Sequence, residues 1–181
     1  MQPLSAIASR ILSAFRKRNQ RRLRKLNDEI VRETSLQFDK VHFNLSVYSY
    51  VLSKIVSKPR YLQVECEQCL KDVEFAMEKI VHRIESASDE EVDRLFGELE
   101  TAVSGLEKKD PRFITDMITK GKLKMAATFY AQGLSLGVAA EMTGLEKQDI
   151  LNYAGETMMF DRLKEEKSIQ DRMKNARKII S

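Results

Sequence analysis

The sequence of 181 residues has no tryptophan and few glycines, prolines and cysteines. Seven glycines and three prolines are too few turn-forming residues for a many-stranded sandwich or barrel, and low-complexity sequence is too scarce for a disordered chain. With 43% hydrophobic and 32% charged residues, the chain is long enough for one generous globular domain or two small ones. These features predict an all-α protein, a long-helix antiparallel bundle followed by a compact module.

The two cysteines, Cys66 and Cys69, exclude a disulfide framework, and they fit a reducing, cytoplasmic setting. Their Cys-x-x-Cys spacing could supply half of a zinc site, but structural zinc takes four ligands and no second cysteine pair exists. His42 and His82 are expected to lie too far apart along the helices to complete it. We therefore expect core cysteines, no metal and no other cofactor.

Catalytic and membrane signals are also missing. The chain has no glycine-rich phosphate loop, no Gly-x-Ser-x-Gly turn and no His-Glu-x-x-His helix, so we expect a noncatalytic protein. No uncharged stretch approaches the ~18 apolar residues of a membrane span. The apolar-then-basic order at the beginning of the chain is the reverse of a secretory signal. The composition of the same segment also resembles an organellar transit peptide, but a retained basic helix is favoured.

Positive charge is concentrated near the amino terminus. The whole chain carries a formal +4, whereas residues 1–32 hold nine basic and two acidic residues. Apolar residues at helical spacing between Leu4 and Phe15 predict an amphipathic helix that runs into this basic segment and forms a unit over 1–33. The segment itself contributes seven candidate phosphate-contacting residues, Arg16, Lys17, Arg18, Arg21, Arg22, Arg24 and Lys25.

Three interpretations of the basic segment stay open: nucleic acid, a membrane surface, or an acidic protein partner. Because residues 16–32 contain no aromatic side chain on which bases could stack, duplex DNA or structured RNA fits better than unpaired strands. An acidic stretch, residues 85–107, has eight carboxylates and one arginine, so the two segments could also pair within the fold or between chains.

Amphipathic helices are predicted over a bundle unit of residues 34–108. Val41, Leu45, Tyr48 and Leu52 recur at steps of three and four, which predicts a packing seam that could join two copies into a homodimer. A second helix is predicted from about residue 60 to 84, forming an antiparallel hairpin with the first across Lys58-Pro59. Ser88 and Glu91 form a capping box that opens a third helix.

The remaining residues, 109–181, are predicted to form a glycine-punctuated module with a terminal basic helix beginning at Ser168. Asp110-Pro111 is expected to open a short helix that ends at Gly121. Farther on, Ser135 is a candidate helix cap and Gly144 a candidate left-handed turn residue. Beyond them, Ile150 is expected to face inward.

Residues 122–155 resemble the helix-turn-helix superfamily of DNA-binding proteins, with Ala140, Gly144, Leu145 and Ile150 at that family's spacing. More narrowly, the run SLGVAAEMTGLEKQDIL resembles the helical half of small prokaryotic antitoxins, and also an archaeal group of helical proteins. The resemblance implies that the exposed Lys147, Gln148 and Asn152 approach base edges in the major groove, with phosphate contacts from Lys122 and Lys124.

Charge separates this module from the family pattern. Residues 133–155 carry Glu141, Glu146 and Asp149 against Lys147 alone, and phosphate attraction supplies most nonspecific affinity for DNA. The resemblance and the clustered basic segment nevertheless favour a noncatalytic, antitoxin-like DNA-binding or DNA-associated regulator. The alternative is an interaction or scaffold protein, in which the acidic helix and the module bind protein while the basic helix meets an RNA-protein particle or a membrane.

Overall fold

The computed structural model describes residues 2–36, 39–108 and 117–162. Within these ranges the chain is all-α, as predicted, and no strand is present. The helices are α1 (Leu4–Arg16), α2 (Gln20–Leu36), α3 (Lys40–Val56), α4 (Glu67–Arg83), α5 (Asp89–Glu107), α6 (Met117–Ala131), α7 (Leu136–Thr143), α8 (Lys147–Glu156) and α9 (Met159–Arg162), with 3-10 turns at Pro59–Leu62 and Val64–Cys66.

The long helices pack as two pairs, α2 with α3 and α4 with α5, while α1 lies against α4, α2 and α3. Helix α3 joins the two pairs. Its Tyr48 ring stacks on Phe96 of α5 with centroids 5.5 Å apart, and the Tyr48 hydroxyl donates to the Phe96 carbonyl at 3.3 Å. A continuous core therefore extends from α1 to α6.

The predicted hairpin between residues 41–55 and 60–84 is wrong. Two 3-10 turns occupy the connection and α4 begins only at Glu67, so the connection is long enough to carry α4 away from α3. Leu62 and Val64 lie inside the predicted second helix, whose apolar face was expected to pack against the first, but they are 40% and 84% exposed. The main partners of α3 are α2 and α6 rather than α4.

The basic amino-terminal helix predicted over 1–33 is two helices. Arg18 has a positive φ of 50° at the break, and the Asn19 side chain caps α2 by accepting from the Arg22 amide at 2.9 Å. Ile7, Phe15 and Leu23 are completely buried. The apolar face of this segment is therefore part of the core, which leaves no apolar face for the membrane-surface interpretation.

The seam predicted for a homodimer is used within the chain. Leu45, Tyr48 and Leu52 are buried in the core, and Val41 packs against it. Because α2, α5 and α6 already cover this helix, the seam packs within the chain, and the homodimer stays a prediction.

Gly121 does not end a helix, as the sequence predicted, but lies inside α6. A Cβ at this position would lie 2.9 Å from Cγ2 of Val51 and 3.3 Å from Cγ1 of Val47, both on α3. Glycine is present because the valine side chains of α3 pack directly against α6 at this position. The predicted helix opening at Asp110-Pro111 lies outside the described residues.

Helices α7 and α8 pack with α6 around a small second core that includes Ala126, Ala139 and Ile150. As predicted, Ser135 caps α7 by accepting from the Val138 amide at 3.2 Å, and Gly144 takes the left-handed conformation with φ of 67°. Three residues connect α7 to α8. Membership of the helix-turn-helix superfamily stays a prediction.

Helix α6 contributes to both cores, with Met125 and Phe129 in the larger one and Ala126 and Ala127 in the smaller. It therefore fixes the orientation of the α7–α8 module on the bundle. The terminal basic helix predicted from Ser168 lies outside the described residues. In the part of the chain that the structure describes, no helix is both long and apolar enough to cross a bilayer.

Candidate nucleic-acid interface

Two of the predicted phosphate-contacting arginines form ion pairs with carboxylates of α4. Arg16 lies 2.7 Å from Glu78 and 3.5 Å from Glu74, and Arg18 lies 3.0 Å from Glu74. The hydrogen bond to Glu78 is the main reason that the pKa of Arg16 is raised. These two side chains hold α1 on α4 and contribute little free charge to a ligand.

The acidic stretch 85–107, which the sequence leaves open as a partner of the basic segment, does not pair with residues 16–25 in the ion pairs of the described residues. Its partners lie elsewhere: Lys40 reaches Asp93 at 2.6 Å, Lys79 reaches Glu98 at 2.8 Å, and Lys122 reaches Glu100 at 3.5 Å. Lys122, a predicted phosphate contact, is therefore engaged with α5. The Glu85 carboxylate accepts from the Ser5 amide and hydroxyl, which lower its pKa.

The other basic residues of the segment face solvent. Their side chains are all exposed: Lys17, Arg21, Arg22, Arg24 and Lys25. Leu23 and Leu26 anchor the opposite side of α2 in the core, so the first two turns of α2 present positive charge around the exposed half of the helix.

Three helices bring cations to the half-buried ring of Tyr50 on α3. Lys124 of α6 places its Nζ 4.2 Å from the ring centroid, and Lys54 of α3 places its Nζ at 5.2 Å. Arg24 of α2 is close enough to oppose the rise in the pKa of Tyr50 that burial causes. We call Arg24, Tyr50, Lys54 and Lys124 the Tyr50 surface.

Buried polar contacts set this geometry. Asn27 of α2 donates from Nδ2 to the Ser46 carbonyl at 2.7 Å and to the Ser49 hydroxyl at 2.9 Å, and it also contacts Met125 of α6 at 3.7 Å. Because Asn27 follows Arg24 by one turn and Met125 follows Lys124 directly, these contacts hold the cations of α2 and α6 on either side of α3.

More basic residues continue the Tyr50 surface beyond the end of α3. Burial lowers the pKa of Lys58, and the positive charges of Arg60, Lys54 and Lys120 lower it further, although Glu107 opposes them. Like charges therefore lie close to Lys58 at this end of the surface.

Sequence reasoning missed Tyr50, Lys54, Lys58 and Arg60. The first three interrupt or follow the apolar seam of α3, where single polar residues are ordinary surface residues. Only the packing of α2 and α6 against α3 brings them together with Arg24 and Lys124. A signal was present in the spacing, because Tyr50 and Lys54 lie four residues apart on one face of α3 and Lys58 follows four residues later, just beyond the helix end.

Helix α8 exposes the three residues that the family resemblance selects, Lys147, Gln148 and Asn152. Gln148 donates to the Asn152 side chain at 2.8 Å, so each amide already has a partner on the helix. Leu151, on the same face, is 37% exposed. This face offers one cation, and Asp149 and Glu156 are exposed on the same helix.

The cysteines and histidines lie away from the Tyr50 surface. Cys66 is buried, as expected, and Cys69 is half-buried. His42 is buried at the start of α3, where its Nδ1 bonds to Asp39, the residue that caps the helix. Within the described residues no group of three or more metal-ligating side chains is present.

Comparison with known proteins returns no match: no family model, curated protein or solved structure is similar to this chain. The function must therefore be argued from the charge and geometry of the chain itself.

Proposed function

We propose that the chain is a noncatalytic, cytoplasmic DNA-binding protein with a regulatory role, and that it holds duplex DNA through the Tyr50 surface. The observation that carries this proposal is the convergence of Arg24, Lys54 and Lys124 from three helices around the half-buried ring of Tyr50. Lys58, Arg60 and Lys120 extend the same positive region.

Duplex DNA matches a surface of this kind because it presents closely spaced phosphates. Each phosphate that a lysine or arginine neutralises releases condensed counterions, so affinity falls steeply as salt is added. Arg16 and Arg18 are already held by carboxylates of α4. The phosphate-binding charge is therefore assigned to the Tyr50 surface rather than to these two arginines.

Salt-dependent binding of a fluorescent duplex of about 25 base pairs, followed by anisotropy between ~50 and ~200 mM salt, tests the proposal. The double variant Lys54→Gln/Lys124→Gln should lower the slope of log affinity against log salt by about two and weaken binding on the order of 50-fold at ~0.1 M salt.

A matched control removes the same charge elsewhere. Lys40 and Lys71 are exposed and paired with Asp93 and Glu67. The variant Lys40→Gln/Lys71→Gln should change affinity less than about threefold, because its charges lie outside the proposed interface. Equal losses in the two double variants, or no binding by the full chain at low salt, would refute the proposal.

The α7–α8 module supports a second candidate function, binding of a protein partner. Val138 and Leu151 are 39% and 37% exposed, and Glu141, Glu146 and Asp149 lie on the same two helices or the turn between them. Apolar side chains bordered by carboxylates fit a basic amphipathic segment better than a phosphate backbone. Binding of such a peptide that is lost in Leu151→Asp and retained in Lys54→Gln/Lys124→Gln would support it.

A further inference from the structure

Helix α2 projects basic side chains in three directions. Successive residues of an α-helix are separated by about 100°, so Arg22 and Arg24 point to nearly opposite flanks of α2. Arg21 and Lys25 lie one turn apart between them, on the most exposed line of the helix, with Leu23 buried behind. We call this exposed line with its two flanks the α2 ridge.

Each flank of the ridge continues onto a neighbouring helix. On one side, Arg24 belongs to the Tyr50 surface together with Lys54 and Lys124. On the other side, a groove of about 450 Å³ separates α1 from α2, and Lys17 and Arg22 are among its lining residues. The ridge is therefore bordered by cations on both sides.

The polar lining of that groove also suits phosphate oxygens. It includes the hydroxyls of Ser9 and Ser13 beside the cationic Lys17 and Arg22. Arg10 is held in place by Gln2 and by an ion pair with Glu29 of α2. Hydroxyl and cationic donors around a concave surface are the usual protein contacts of the nucleic-acid backbone.

Negative charge restricts the contact to the first two turns of α2. Asp28 is exposed one turn after Lys25, and Glu29 belongs to the pair with Arg10. The amino-terminal part of the helix, over residues 20–25, has no carboxylate. This is the part that could approach a polyanion closely.

From this arrangement we infer that the first two turns of α2 enter the major groove of duplex DNA, while the cations of the two flanks contact the phosphates of its two strands. An α-helix with side chains is about 10–12 Å across, and the major groove of B-form DNA is about 12 Å wide with phosphates on both rims. Arg21 and Lys25 then face the base edges, where arginine and lysine pair best with guanine.

The inference rests on the proposed function, and it assigns the contacts with base edges to α2 instead of α8. It also selects among nucleic acids. The major groove of A-form RNA is deep and too narrow for a helix, so a duplex RNA of the same length should bind more weakly than the DNA.

Groove occupancy can be tested with the full chain and two duplexes of identical sequence and charge. One is unmodified, and the other carries glucosylated hydroxymethyl groups on its cytosines, which fill the major groove. We expect affinity for the modified duplex to be lower by about tenfold or more, and netropsin, which occupies the minor groove, to have little effect. Equal affinity for the two duplexes, or competition by netropsin, would overturn the inference.

The identity of the inserted helix is tested by tethered cleavage. An iron chelate that generates hydroxyl radicals is attached through Lys25→Cys or, separately, through Lys147→Cys, each in a Cys69→Ser background because Cys66 is buried. The label at position 25 should cleave the bound duplex several-fold more than the label at position 147. Stronger cleavage from position 147 would assign the groove to α8 instead.

Failure of this inference is distinguishable from failure of the proposed function. If Lys54→Gln/Lys124→Gln weakens binding but the glucosyl groups leave affinity unchanged, the Tyr50 surface holds phosphates without insertion of α2, and only the inference fails. If the unmodified duplex does not bind at all, both fail. Tighter binding of duplex RNA than of DNA would also overturn groove entry by α2.

Discussion

The α2–α3–α6 region and the α7–α8 module offer two different kinds of evidence for nucleic-acid binding. The module has a recognisable local pattern, with a cap at Ser135, a left-handed turn at Gly144 and polar side chains on α8, but its charge is negative. The Tyr50 surface matches no known motif and has only a four-residue spacing as a local signal, yet it gathers cations from three helices. A motif indicates a shape, whereas affinity for phosphate depends on charge that only tertiary packing assembles.

The largest expected difference between the two regions comes from charge reversal on their exposed helices. Lys25→Glu and Lys147→Glu change the net charge equally, and both side chains are exposed. Lys25→Glu should weaken duplex binding by roughly 10- to 60-fold at ~0.1 M salt, because a positive charge next to the DNA is lost and a negative one is introduced.

Lys147→Glu should weaken binding by less than about threefold, since screening over a Debye length reduces its effect on a distant site. Anisotropy titrations of the two variants check both values. A larger loss in Lys147→Glu would reverse the comparison and favour α8 as the phosphate-binding helix.

A second prediction disturbs the packing that assembles the Tyr50 surface. Gly121→Ala places a Cβ 2.9 Å from a methyl group of the fully buried Val51. Overpacking costs about 1–3 kcal/mol and the better helix propensity of alanine returns at most about 1 kcal/mol, so the free energy of unfolding should fall by roughly 1 kcal/mol. Duplex affinity should fall with it, because α6 carries Lys124.

Gly105→Ala provides the control for that change. No atom lies within 4 Å of a Cβ built at Gly105 in α5, so this substitution should raise the free energy of unfolding by up to about 1 kcal/mol. Urea unfolding followed by circular dichroism measures both variants. Equal effects at the two glycines would contradict the close approach of α6 to α3.

A third prediction disturbs the module alone. Gly144 has φ of 67°, and alanine in this conformation costs about 1–2 kcal/mol. Gly144→Ala should therefore increase amide hydrogen exchange in α7 and α8, while duplex affinity stays within about twofold because the Tyr50 surface is intact. Loss of binding in this variant would show that the module takes part in DNA binding.

The smallest expected effect is a dependence on pH through Lys58. Burial and the neighbouring cations lower its pKa below the ordinary value of about 10.4. A bound phosphate favours the charged form, so binding takes up protons and affinity falls as pH rises through the lowered pKa.

As pH rises from neutral to the lowered pKa of Lys58, affinity should fall by roughly twofold in the wild type and less in Lys58→Arg, because arginine stays charged. Isothermal titration calorimetry in two buffers of different ionisation enthalpy detects the proton uptake directly. Identical pH profiles for the wild type and the variant would remove Lys58 from the interface.

The sequence predicts helices and local turns well, because these depend on neighbouring residues. Apolar spacing identifies α3 and α5, and Ser88, Ser135 and Gly144 mark helix ends that the structure confirms. Only half of the predicted capping box forms, since Ser88 accepts from the Glu91 amide but the Glu91 carboxylate contacts Arg83 at 2.6 Å.

Contacts between helices were less predictable, because the same apolar seam fits several partners. The seam from Val41 to Leu52 was assigned to a second copy, and within the chain it is covered by α2 and α6. Gly121 has the sequence signature of a helix end, yet its glycine serves a close approach. The Tyr50 surface depends on these contacts, which explains why Lys124 and Arg24 were predicted singly but Tyr50 and Lys54 were not.

Lysine footprinting of the full chain tests the central claim most directly, because every lysine reports in one experiment. The protein is acetylated briefly with and without a saturating DNA duplex at low salt, and the modified positions are quantified by mass spectrometry. The account predicts that DNA protects Lys25, Lys54 and Lys124, while Lys71 and Lys147 react equally in both samples. Protection of Lys147 with unchanged reactivity at Lys54 and Lys124 would contradict it.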